Sequence, residues 1–118
     1  MVGFLASLTE QKRPDLFVEA AERLLAEGHR AVFVLGGSGS WGARLRDAVA
    51  ALHPHLLDVG HRRDVPEVLA ALDVFVLPSL REGMPLTVRE AMRAGAVVVA
   101  SDADGTAEVV LDGQTGRP

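Results

Sequence analysis

Short apolar runs alternate with amphipathic stretches along all 118 residues, and the alternation predicts strand and helix in turn. Val2 to Leu8 is an apolar run that reads as a first strand, starting so abruptly that it predicts a fragment cut just before or inside a strand. Asp15 to Ala26 places Leu16, Phe17, Ala20, Ala21, Leu24 and Leu25 at helical spacing, with Gly28 as the stop. Ala31 to Leu35 has the character of a buried strand, and Gly36-Gly37-Ser38-Gly39 turns the chain into a helix with Leu45, Ala48, Val49 and Leu52 on one side. Leu56 to Gly60 predicts a third strand. Asp64 and Glu67 have capping-box spacing at the start of a helix over Val65 to Leu72, whose first turn tolerates Pro66.

Asp73 to Leu77 predicts a fourth strand ended by Pro78. A helix from about Pro85 to Ala94, stopped by Gly95, leads to a fifth strand over Ala96 to Ala100, and Glu108 to Leu111 suggests a short sixth. This order predicts an α/β fold: a Rossmann-like parallel sheet of five or six strands with helices on both faces. In such sheets ligands bind beyond the carboxyl ends of the strands, where the strand order reverses. The loops at that edge are Ser7 to Lys12, Gly36 to Trp41, Gly60 to Arg63, Ser79 to Pro85 and Ser101 to Gly105.

Composition narrows the function classes. The length fits one domain with its own core, and the absence of cysteine excludes a disulfide framework or a thiolate metal site. A net charge of −4 with 4% aromatic residues argues against a nucleic-acid surface, which needs basic patches and stacking platforms. No apolar run is long enough for a transmembrane segment, and there is no secretory leader, so a cytoplasmic protein that binds a small molecule is the expectation.

The chemistry concentrates around Glu82-Gly83-Met84-Pro85-Leu86-Thr87-Val88-Arg89-Glu90. Pro85 suits the first helical turn, where its missing N–H would have had no partner. The free N–H groups of Leu86 and Thr87 then point out of the helix N-terminus as an anion site, and Gly83 lets a ligand approach the backbone. Glu82 and Glu90 lie at least about 7 Å apart along the axis, too far for a tight acid pair. Carboxylates on either side of an anion site suit a ligand with hydroxyls on both sides of a phosphate, as in a nucleotide sugar. The plainer alternative is a loop glutamate and a second one on a wet helix face.

Other candidates have equally plain alternatives. Lys12, the only lysine beside eleven arginines, falls in the first strand–helix loop, where it would meet a phosphate as a point charge or stand as a solvated charge. The glycine turn at 36–39 lacks the Gly-Lys-Ser/Thr ending of a phosphate loop and reads as a tight turn with incidental ligand contact. Asp102-Ala103-Asp104 has the look of a metal-holding acid pair, yet it has no further ligand beside it and ordinary turn chemistry accounts for it. His29, His53, His55 and His61 show neither metal spacing nor a partnered nucleophile. Only His61 falls on a strand-end loop. Trp41 reads as packing the helix start.

Ser79-Leu80-Arg81-Glu82-Gly83-Met84-Pro85-Leu86, Glu90-Ala91-Met92 with Gly95, Val98-Val99-Ala100-Ser101-Asp102 and Glu108-Val109-Val110 together resemble the carboxy-terminal, donor-binding half of a group 1, family 4 glycosyltransferase of the GT-B class. Gly60-His61, Asp64-Val65-Pro66, Asp73 to Pro78, and Asp112-Gly113 to Thr115-Gly116 extend the resemblance over nearly the whole chain.

The resemblance implies a retaining, metal-independent transferase whose substrate is a UDP-, GDP- or ADP-linked sugar, with no cofactor. Glu82 and the backbone from Gly83 through Met84 to Leu86 would hold the transferred sugar. Glu90 would take the ribose, Lys12 with the N–H groups of Leu86 and Thr87 the diphosphate, and Gly60 and His61 the base. It also implies a missing amino-terminal acceptor domain and missing final helices, an isolated chain without turnover, and a full-length enzyme that is cytoplasmic or peripheral to the inner membrane face.

Three features depart from the family pattern. Ala6 and Ser7 stand where Gly-Arg is common, which removes a bidentate phosphate clamp. Pro85 replaces a frequent glycine, and the chain is short. A non-catalytic nucleotide or nucleotide-sugar binding module is therefore the competing reading, and a nucleotide-sugar epimerase is the alternative within the same fold.

Overall fold

The computed structural model describes residues 1–79, 86–101 and 116–117. Chain order is β1 (Val2–Leu5), α1 (Pro14–Ala26), β2 (Phe33–Gly36), α2 (Gly42–Leu52), β3 (Leu56–Gly60), α3 (Val65–Ala71), β4 (Val74–Leu77), α4 (Leu86–Arg93), β5 (Val97–Ala100) and β6 (Gly116–Arg117). The strands form one sheet in the order β3-β2-β1-β4-β5-β6, and every pairing is parallel. The chain steps outward from β1 to β3, crosses back through α3, and steps outward again from β4. Strand order therefore reverses between β1 and β4.

Parallel strands need crossovers, and these are almost always right-handed, so the two directions of travel place helices on opposite faces. One core lies beneath α1 and α2 and is built from Phe4, Phe17, Phe33, Leu35, Leu56 and their neighbours. The Phe17 ring stands 5.7 Å from Phe4 and 6.1 Å from Phe33, the second contact edge-on. The other core packs Leu69 and Leu72 with Val88 and Ala91 of α4 against Phe75, Leu77, Val98 and Ala100. Alternation along β5 buries Val98 and Ala100 under α4 and leaves Val97 and Val99 exposed on the opposite face.

Several expected details shift. In α1 the buried positions are Pro14, Phe17, Val18 and Ala21, while Leu16 and Leu24 are exposed. The helical pattern held two adjacent apolar stripes, and the one centred on Val18 faces the sheet. Ala48 of α2 is likewise exposed. β2 begins at Phe33 rather than Ala31, and it takes in Gly36. β1 ends at Leu5, three residues before the end of its apolar run. Asp64 makes no side-chain cap to α3, because its carboxylate is held by Arg62 instead. The sixth strand is Gly116–Arg117, and the segment 108–111 lies outside the described residues.

Candidate functional site

Three loops at the carboxyl edge are fastened to one another through their backbones. Past the end of β1, the N–H of Ala6 donates to the Gly36 carbonyl at 3.2 Å and that of Leu8 to the Ser38 carbonyl at 3.0 Å. Trp41 N–H returns to the Leu8 carbonyl at 2.9 Å, and Gly37 N–H reaches the Gly60 carbonyl at 2.8 Å. The apolar run at 6–8 thus continues the β1–β2 ladder as a strap across the glycine turn. The glycines are what make this approach possible. A Cβ on Gly37, whose φ is +134°, would stand 1.8 Å from the Ala6 carbonyl oxygen, and one on Gly39 would stand 2.5 Å from that of Leu8. The turn is a backbone-to-backbone joint, in keeping with its lack of a phosphate-loop ending.

Between these loops and α4 lies a crevice of about 310 Å³, at the β1/β4 switch point. Its lining includes the small or polar Ser7, Gly36, Gly37 and Ser38 beside Leu5 and Ala6. His61, Arg62 and Val65 also line it, with half-buried Thr87 from the first turn of α4. Among the described lining residues Arg62 is the only lysine or arginine, and none carries a carboxylate. A neighbouring groove of about 490 Å³ runs under α2 past Gly39, Arg46, Asp58, Gly60 and His61. A hollow of about 700 Å³, lined by Leu25, His29, Val32 and His55, lies at the opposite edge, away from the strand ends where such folds bind ligands.

Expected site residues divide accordingly. Thr87 and His61 line the crevice, and Gly60 lines the groove beside it. Leu86 opens α4, which places its backbone N–H at the helix start. Glu90 is exposed one turn further on, and Lys12 is half-buried in the β1–α1 loop, but neither forms part of the crevice wall. Glu82, Gly83, Met84, Asp102 and Asp104 lie outside the described residues. Arg62 was not singled out from sequence. Its position two residues beyond a strand-ending glycine was the available signal.

Two guanidinium–carboxylate forks flank the site. Arg62 donates through Nε and Nη2 to Asp64 at 2.7 and 2.5 Å. Arg13 donates likewise to Asp15 at 3.0 and 2.9 Å. In each fork the hydrogen-bonded arginine holds the carboxyl below its ordinary range, and the carboxylate raises the guanidinium. Arg13 sits at φ 53°, a left-handed conformation that costs a side-chain-bearing residue free energy, so its fork opposes backbone strain.

A depressed Asp15 contributes stability that is complete above the unfolded carboxyl value of about 4 and is lost as pH falls through its lower folded value. Arg13→Gly relieves the strain and removes the fork. Its melting temperature relative to the parent should therefore rise as pH drops from about 4 through the lower folded value of Asp15, the interval over which the fork's contribution is lost. Arg13→Ala, which keeps the strain, should melt below Arg13→Gly throughout. Thermal scans at neutral and acidic pH test this, and a difference that does not change with pH would refute the fork's role.

Among the described residues no cluster has the make-up of a metal site, and no helix is long and apolar enough to cross a membrane. In comparison with known proteins, the chain is 40% identical over 110 residues to an Escherichia coli UDP-Gal:α-D-GlcNAc-diphosphoundecaprenol α-1,3-galactosyltransferase, covering 89% of this chain and 28% of that protein. It is 36% identical to the lipopolysaccharide core biosynthesis mannosyltransferase LpcC of Rhizobium leguminosarum, covering 98% of this chain and 35% of that one. The chain thus spans roughly a third or less of these relatives.

Its fold superposes on Anabaena HepE solved with UDP-glucose, with a TM-score of 0.85 and 27% identity over 98% of this chain and 33% of that one. For S. aureus TarM, solved with UDP, α-GlcNAc-glycerol and fondaparinux, the TM-score is 0.91 at 26% identity over 98% of this chain and 24% of TarM. Both superpositions place the sheet in the Rossmann-like architecture of GT-B glycosyltransferases. The family described as glycosyl transferases group 1 matches residues 1–117, and the chain belongs to that family.

Proposed function

We propose that this chain is the donor-binding half of a retaining glycosyltransferase and binds a nucleotide-diphosphate sugar across the β1/β4 switch point. The observation that carries the reading is the crevice itself, lined by small serine and glycine residues, by Arg62, and by Thr87 of the first turn of α4. Relatives named for galactosyl and mannosyl transfer, and similar structures solved with UDP and UDP-glucose, support it.

In this reading Glu82 and the backbone through Gly83, Met84 and Leu86 hold the sugar, and Glu90 holds the ribose. Lys12 and the N–H groups of Leu86 and Thr87 face the diphosphate, while Gly60 and His61 border the base. Departure of the diphosphate leaves an oxocarbenium-like sugar and growing negative charge on oxygen. Helix N–H groups and fixed cations stabilise that charge as it develops, without needing a metal. Acceptor recognition belongs to the part of the relatives that this chain does not span, so the isolated chain binds donor without turnover.

Calorimetric titration with UDP, GDP, ADP and their sugar conjugates tests the reading. One nucleotide should bind saturably, indifferent to EDTA, and Glu90→Ala and Lys12→Ala should each weaken it by about 10-fold, the worth of one charge-assisted contact. A folded chain that binds none of the three would refute it.

A further inference from the structure

We propose that Arg62, reaching from the β3–α3 loop, is the side chain that clamps the diphosphate in the crevice. This rests on the nucleotide-sugar reading and adds to it a residue that the resemblance did not name. Among the described lining residues, every position except Arg62 and His61 is small, apolar or neutral, and none is acidic.

A guanidinium carries five N–H donors along two usable edges. Asp64 occupies the Nε–Nη2 edge. That leaves the Nη1–Nη2 edge for a second bidentate acceptor, and phosphate oxygens match its spacing. Asp64 also fixes the side chain's direction, so less conformational freedom is lost when a ligand binds. The Arg62 side chain remains 40% exposed, so a ligand can reach it.

The β1–α1 loop makes the assignment sharper. Ser7 lines the same crevice at the position where the resemblance leads one to expect arginine, and beside it Gly36, Gly37 and Ser38 bring no cation. Among the described lining residues, an anion in the crevice therefore meets its guanidinium from the β3–α3 loop rather than from the β1–α1 loop.

The test titrates the parent chain, Arg62→Ala, Arg62→Lys and the double variant S7R/R62A with whichever of UDP, GDP or ADP the parent binds most tightly. The matching nucleoside, read by ¹H–¹⁵N chemical shifts, runs beside it. Arg62→Ala should weaken the diphosphate by at least about 10-fold and leave nucleoside affinity within about twofold of the parent, since only a charge-assisted contact is removed. Lysine should restore part of the loss, because it keeps charge without the fork, and S7R/R62A should restore more by returning a guanidinium from the β1–α1 loop.

Equal weakening of nucleoside and diphosphate would mean that Arg62 only shapes the α3 start, and would overturn the proposal, as would unchanged diphosphate binding. A parent chain that binds none of the three nucleotides would overturn the donor reading and this clamp with it. Binding by the parent without the Arg62 dependence would overturn the clamp alone.

Discussion

Gly37→Ala is expected to destabilise the chain by about 3 kcal/mol or more and to abolish measurable nucleotide binding at concentrations that saturate the parent. The added Cβ would stand 1.8 Å from the Ala6 carbonyl oxygen, in a backbone conformation of φ +134° that side-chain-bearing residues avoid. Neither partner can give way cheaply. Ala6 is tied to Gly36 by its own N–H, and Gly37 is tied to Gly60. Relief requires the strap at 6–8 to lift off the glycine turn, which removes Ser7 from the crevice wall and displaces the loop that carries Lys12.

Gly60→Ala is the matched control. Gly60 also has a positive φ, +65°, but a Cβ there meets nothing within 4 Å, so only the left-handed cost of about 1–2 kcal/mol applies. Urea unfolding of both variants separates close approach from backbone strain. A Gly37→Ala loss no larger than that of Gly60→Ala would show that the strap is not the constraint.

The legible part of this protein is the part fixed by local period. Buried parallel strands announce themselves as runs such as Val74-Phe75-Val76-Leu77, and the helix between two such runs forces a crossover, so sheet type and the position of its carboxyl edge followed directly. Asp64 shows where local rules gave out. Its spacing to Glu67 matched a capping box, but Arg62 offered a charged fork two residues away, and that fork holds the carboxylate instead.

The α1 stripe failed for a different reason. Phe17 belongs to both candidate faces, and only the presence of Phe4 and Phe33 on the sheet decides that Val18 is buried and Leu16 is not. At the site, the contributing loops were readable because topology sets them, and Thr87 and His61 line the crevice. Which side of a loop faces the crevice was not readable. Arg62 lines it while Lys12 does not, and that choice is made by the backbone joints between loops that are distant in sequence.

Phe17→Ala is expected to cost about 3–5 kcal/mol, enough to leave a domain of ordinary stability, about 5–15 kcal/mol, marginal or unfolded. Phe17 is 1% exposed and is the single side chain of α1 whose ring meets aromatic rings on both β1 and β2. Truncation loses the transfer free energy of the ring and opens a cavity that neighbouring strands cannot close, because their registers are fixed by the parallel ladder. Phe17→Leu fills much of that space and should cost less, about 1–2 kcal/mol.

The functional consequence runs through Pro14 and Arg13, one turn earlier. With the helix start loosened, the β1–α1 loop keeps its joints to Gly36 and Ser38 but loses its anchor at the Lys12 end. A folded Phe17→Leu chain should therefore bind nucleotide more weakly than its small unfolded fraction accounts for, and Phe33→Leu, equally buried but remote from that loop in sequence, should not. Denaturant unfolding paired with titration of both variants decides the matter. Equal affinities after correction for unfolding would mean that α1 supplies core alone, with no part in holding the loop.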